Sequence, residues 1–222
     1  MNIGIKDVLQ RIRLFFIVYL ILLITCLVIK LIYSREEIYF AVNSIHSQWA
    51  DWFAPYLTDL GEGWTIIILS AIWALFNYRQ AFLMATSYGV TAILAQILKP
   101  LFHAPRPELY FKNQLSRIHF VNGVEMFSHN SFPSGHTVTA FSAAVVATYL
   151  CKNKNWGLLF LLIAILIGYS RMYLSEHFFE DVTAGSVIGV IVTVFWVAWL
   201  DSRKFLNAPG WNRGCFLKVS SS

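Results

Sequence analysis

The stretch WGLLFLLIAILIGYSRMYLSEHFFEDVTAGSVIGVIVTVFWVAWL, residues 156–200, decides the architecture. Two apolar runs, Trp156–Tyr173 and Val182–Leu200, flank a block rich in polar groups: Ser170, Arg171, Ser175, Glu176, His177, Glu180 and Asp181. Each run falls within the roughly 17–25 residues that a helix needs to cross a bilayer. Ionisable groups at membrane depth are expensive and mark function. The stretch therefore reads as a helical hairpin in a membrane, with its chemistry gathered at the turn.

Working outward, four more apolar segments precede it: Leu14–Tyr33, Trp64–Tyr78, Ala81–Leu101 and Val138–Cys151. Trp64–Tyr78 and Val138–Cys151 are short, and are expected to extend into polar turns beside a water-lined site. The expectation is an all-α, polytopic bundle of six transmembrane helices. It forms a single domain, residues 1–222, with a core at 81–200 and an outer segment at 34–63. In that segment Ile38, Tyr39, Trp49, Trp52 and Phe53 have the spacing of a helix at the membrane interface. Packing over the bundle is the alternative. Leu14–Tyr33 follows Lys6, Arg11 and Arg13 but lacks a small-residue cleavage site, so it reads as a retained first helix.

Composition agrees. The chain is 57% hydrophobic and 13% charged, with mean hydropathy +0.59; soluble domains carry about 25% charged residues. The net charge of +5 is scattered, with no stripe of basic and aromatic residues, so no nucleic-acid partner is expected. Cys26, Cys151 and Cys215 lack metal-ligand or disulfide spacing. His46, His103, His119 and His129 have no spacing that supports a metal cluster, and none is expected.

Lysine and arginine mark the cytoplasmic side. They occupy the N-terminus, the short connections 77–80 and 152–155, and the tail (Arg203, Lys204, Arg213, Lys218). Glu36, Glu37, Asp51, Asp59, Glu62, Glu108 and Glu125 fall in the long loops. Both termini are then cytoplasmic. Alternation of six spans brings three polar blocks to the outer face: Lys99 to Pro107, Pro133 to His136, and Ser170 to Asp181.

Together these blocks suit a phosphate. Lys99, Arg106 and Arg171 supply cations, and a planar guanidinium matches phosphate oxygens. Ser134 and Gly135 open a helix whose backbone N–H groups can face an anion. If His177 lies on a helix, Asp181 shares its face and fixes the imidazole tautomer, leaving the other nitrogen to attack. His136 is placed to protonate the leaving oxygen.

Lys-x6-Arg-Pro, Pro-Ser-Gly-His and Ser-Arg-x5-His-x3-Asp, in that order, resemble the signature of the type 2 phosphatidic acid phosphatase superfamily. The resemblance spans Lys99 to Asp181 and implies a PAP2/haloperoxidase-like helical core. It implies a phosphohistidine on His177, orientation by Asp181, and general-acid action by His136. Lys99, Arg106, Ser134, Gly135 and Arg171 would hold the phosphate. Neither metal nor cofactor is implied. Pro107, Pro133 and Ser170 match the pattern as shaping residues.

The activity implied is a metal-independent membrane lipid phosphatase with a lipid phosphate or diphosphate as its partner. Its place would be a bacterial cytoplasmic membrane, with the site on the outer face. Undecaprenyl diphosphate ranks first, since a compact, short-looped chain suits carrier-lipid recycling. Phosphatidic acid, phosphatidylglycerol phosphate and a lipid A phosphate follow. Two other readings are a vanadate-dependent haloperoxidase-like activity and a non-catalytic lipid head-group transporter or binder. Six spans and the intact histidine–aspartate pair argue against them.

Overall fold

A computed structural model describes residues 3–216; Lys218, counted above among the inner-face cations, lies outside them. The described residues form ten α-helices. They are α1 (Ile5–Arg11), α2 (Arg13–Ile32), α3 (Arg35–Asn43), α4 (Gln48–Asp59), α5 (Gly63–Phe76), α6 (Tyr78–Phe102), α7 (Pro107–Tyr110), α8 (Gly135–Leu150), α9 (Trp156–Tyr173) and α10 (Phe179–Asp201). The fold is all-α, as the apolar runs require.

Four helical segments are long and apolar enough to cross a membrane: Arg13–Ile32, Tyr78–Tyr110, Trp156–Tyr173 and Phe179–Asp201. A fifth crossing arises if α4 and α5 are one span, bent by 56°. The expected count of six is therefore not reached on length and hydropathy. α8, with 16 residues, falls short; at 1.5 Å per residue it is about 24 Å long. The reason is its position. α8 is the central helix, with Thr137, Val138, Phe141, Val145, Thr148 and Tyr149 buried, so neighbouring protein takes the place of lipid around it. The other weak segment, Trp64–Tyr78, becomes α5, a helix of 14 residues that follows α4 across the bend.

Lipid tails are as apolar as leucine, so helices in a bilayer associate by close packing and interhelical hydrogen bonds. α8 and α10 do both. A Cβ on Gly185 would stand 2.8 Å from the Ser134 carbonyl oxygen, and one on Gly189 would stand 2.6 Å from that of Val138. Only glycine permits this approach. Thr193 donates to Ser142 Oγ across the same interface, 2.7 Å. On the outside, α2 exposes Ile21, Ile24, Leu31 and Ile32, the surface of a helix dissolved in hydrocarbon.

One end of the bundle is stapled by a buried carboxylate. Asp201, with 0% exposure, pairs with Arg79 at 2.6 Å and accepts from the Tyr149 hydroxyl. Arg11 donates to that same hydroxyl, 3.0 Å. The C-terminus of α10, the N-terminus of α6 and the C-terminus of α8 are held together there. Their opposite ends meet at the candidate site.

The outer segment divides in two. α3 packs down: Tyr39 is buried in an aromatic cluster with Phe111 and Phe178. α4 instead presents Trp49, Trp52, Phe53 and Tyr56 outward. Packing over the bundle thus holds for α3, while α4 keeps an exposed aromatic face. Phe111 is buried beside Tyr39, whereas Tyr110 and Phe127 stay exposed.

Candidate active site

The site is built where α6, α8, α9 and α10 end or begin together. The turn between α9 and α10 is wound tightly, because the N–H groups of both Glu176 and His177 donate to the Arg171 carbonyl at 3.0 and 3.2 Å. Ser175 takes a left-handed backbone conformation there, φ 59°. Such a conformation costs a non-glycine residue about 1 kcal/mol or more. α3 holds it in place: Tyr39 and Asn43 donate to Ser175 Oγ at 2.9 and 3.2 Å.

His177 therefore does not lie on a helix, as the i, i+4 spacing suggests. It precedes α10, whose N-cap is Phe178. Asp181 sits in the first turn and accepts the Phe178 N–H at 2.8 Å. The pairing survives in altered form, with His177 Nδ1 3.5 Å from Asp181 Oδ2. Ser131 bridges the two. Its hydroxyl donates to Asp181 Oδ2 and lies 3.4 Å from His177 Nδ1. With Nδ1 facing this group, Nε2 is the ring nitrogen left for chemistry.

His177 is 1% exposed. Burial, and then the charges of Arg106, Arg171 and Lys99, push its pKa well below the ordinary 6.5. The imidazole is thus neutral, the form a nucleophile needs. His136, in the first turn of α8, has a side chain that is 25% exposed, with Nε2 3.8 Å from Glu62 Oε1. One histidine is deep and the other stands at the mouth.

The cations approach from three elements. Arg171, at the end of α9, donates to Thr58 Oγ1 at 2.8 Å. Arg106, at the head of α7, donates to the His129 carbonyl at 3.1 Å. Its guanidinium lies 5.1 Å from the centre of the Phe127 ring. Lys99 Nζ reaches the start of α8, 3.7 Å from where a Cβ on Gly135 would stand, an ordinary van der Waals distance.

Ser134 needs a correction. Its N–H is not free to face an anion, because it donates to the Asp181 carbonyl at 3.1 Å. Its hydroxyl accepts from Thr137 at 2.9 Å, which leaves the hydroxyl proton for another partner. The open amides at this helix start are those of Gly135, His136 and Thr137.

Glu176 was not expected among the site residues. Its Oε2 contacts Arg106 Nη1 and lies 3.3 Å from Arg171 Nη2. The carboxyl is buried, and desolvation raises its pKa above the usual range despite both arginines. Ser131, Thr58, Tyr39 and Asn43 also escaped the sequence reading. They meet the site from 46 to 136 residues away, a separation that motif spacing does not capture.

Below the mouth runs an apolar groove of about 390 Å³, lined by Leu60, Ile66, Ala140, Ala144, Ala164 and Ile167 among others. Gly61 joins groove to site. A Cβ on it would meet Ile167 at 2.6 Å and His136 Cβ at 3.1 Å. The arrangement offers a neutral, oriented imidazole, a second histidine at the entrance, fixed cations for an anion, and an apolar track leading away.

A family model described as PAP2 superfamily matches residues 80–205. The chain is similar to a putative undecaprenyl-diphosphatase, YbjG, of Escherichia coli, at 27% identity over 68% of this chain and 77% of that protein. The fold is similar to the crystal structure of Aquifex aeolicus LpxE: TM-score 0.64 and 27% identity, covering 72% of this chain and 93% of that one. It is also similar to a transmembrane PAP2-type phosphatidylglycerolphosphate phosphatase from Bacillus subtilis: TM-score 0.62 and 27% identity, covering 88% of this chain and 98% of that one.

Proposed function

Since the chain belongs to the PAP2 superfamily, we propose that it is an integral-membrane phosphatase that removes phosphate from a lipid phosphate or diphosphate through a phosphohistidine on His177. The observation that carries this reading is the buried, neutral His177 held by Ser131 and Asp181 among Arg106, Arg171 and Lys99. The apolar groove that begins beside His136 supports a substrate with an acyl or prenyl tail.

His177 Nε2 attacks phosphorus in line with the leaving oxygen. The P–N bond forms as the P–O bond to the lipid breaks, and His136 gives its proton to the departing oxygen. A water then attacks phosphorus as His136 takes a proton from it; the new P–O bond forms while the P–N bond to His177 breaks, which frees the imidazole and releases inorganic phosphate. Lys99, Arg106 and Arg171, with the Ser134 hydroxyl and the Gly135 amide, stabilise the charge on the equatorial oxygens, the main demand of phosphoryl transfer. Protein groups supply that charge, so the reaction needs no metal.

We read six crossings, counting α4–α5 as one bent span and α8 as a short central one. Both termini are then cytoplasmic. The site faces outward from a bacterial inner membrane. Undecaprenyl diphosphate stands first among substrates, a ranking supported by the compact chain and the similarity to YbjG. Phosphatidylglycerol phosphate, phosphatidic acid and a lipid A phosphate follow.

The test is phosphate release in detergent across these four lipids, with and without chelator. His177→Ala is expected to abolish release, by at least about 10³-fold, while melting and eluting like the wild type. Retained turnover in that variant removes the nucleophile assignment, and loss of wild-type activity with chelator contradicts the metal-free reaction.

A further inference from the structure

A site built for an anion holds an anion of its own. Glu176 directly precedes His177 and is 1% exposed. Its Oε2 lies against both Arg106 and Arg171, the two guanidinium groups assigned to the phosphate. The protein does not saturate these groups: Glu176 Oε1 and Arg171 Nε are both buried without a hydrogen-bond partner. The turn carrying Glu176 is fixed at the backbone by Arg171 and at Ser175 by Tyr39 and Asn43, so the carboxylate cannot swing far from the arginines.

We propose that Glu176 is a positioning residue that binds Arg106 and Arg171 in competition with phosphate and so sets how tightly the phosphate product is held. The inference rests on the phosphatase reading above. Lys99, Arg106 and Arg171 bring three positive charges to one place, and Glu176 lowers the total to two. Three unopposed cations attract substrate phosphate and product phosphate alike. Such uniform binding does not speed the chemical step and slows release of product. A carboxylate between the arginines keeps both guanidinium planes aligned and weakens their hold on the ground-state anion.

The experiment uses the full chain in detergent as wild type, Glu176→Gln and Glu176→Asp, with inorganic phosphate as the probe. Glu176→Gln keeps the shape and removes the charge. Its inhibition constant for phosphate is expected to fall about ten-fold, equivalent to about 1.4 kcal/mol, with KM and kcat both lowered as release becomes limiting. Glu176→Asp keeps the charge and should hold the inhibition constant within about three-fold of wild type. If Glu176→Gln is less stable, its melting temperature should rise more on adding phosphate than that of the wild type.

An unchanged or raised inhibition constant in Glu176→Gln, with no greater stabilisation by phosphate, makes Glu176 a purely structural ion-pair partner and overturns the proposal. A wild type that releases no phosphate from any lipid and binds none overturns the phosphatase reading and this inference with it. An active wild type without tightening in Glu176→Gln overturns this inference alone.

Discussion

His177, the proposed nucleophile, is dry. The imidazole gains its neutrality from burial and from three nearby cations, and a sign follows for pH. The nucleophile is lost only on protonation, and its pKa lies well below 6.5. In a His136→Ala background, where the general acid no longer titrates, the acid limb of kcat/KM should therefore lie below pH 6.5. A profile of that variant from pH 4 to 8, on a lipid analogue with a good leaving group, with its acid limb at or above 6.5 would contradict this. Stability moves the same way. Unfolded histidine takes up a proton below about pH 6.5 that folded His177 refuses, so acidification favours unfolding. At this scale the sequence was legible where side-chain chemistry alone marks a residue. His177, Asp181, Arg106, Arg171 and Lys99 all stood out as polar groups beside apolar runs. Ser131 did not, since an isolated serine in a loop carries no such mark until the fold sets it beside His177 and Asp181.

Helices and their ends explain both what the apolar pattern predicted and what it mistook. Long runs such as Arg13–Ile32 and Phe179–Asp201 are found within a few residues of their expected bounds. α8 was legible as a helix, but its length only makes sense once it is seen to be wrapped by protein. The i, i+4 rule brought His177 and Asp181 together for the wrong reason, since a tight turn and not a helix face makes the pairing. That turn depends on α3. Asn43 donates to the His119 carbonyl and to Ser175 Oγ, and accepts the His119 N–H. Asn43→Ala removes all three bonds and leaves buried groups unpaired. It should lower stability by about 1–3 kcal/mol and kcat/KM by about ten-fold. Thermal melting and steady-state kinetics would check both. Full activity with a lowered melting temperature would show that the turn does not need α3 to hold His177.

The molecule as a whole is polarised, with Asp201 stapling one end and the candidate site filling the other. The proposed topology makes a concrete prediction. In a background lacking Cys26, Cys151 and Cys215, a cysteine replacing exposed Asn122 should react with an impermeant maleimide on intact cells. One replacing exposed Asn153 should react only after the membrane is opened. The reverse pattern would turn the site to the inner face. Charge asymmetry along the chain is the ground for this orientation; the bent α4–α5 pair was not legible, because its break falls in a polar turn that reads as loop. That bent pair and α3 have a further consequence, an evolutionary one. Thr58, Asn43, Tyr39 and Glu62 all precede the family match at residues 80–205, yet they touch Arg171, Ser175 or His136. Divergence in this N-terminal stretch can reshape the candidate site while every hallmark block stays intact, so two lineages identical in all three blocks need not share one ligand preference.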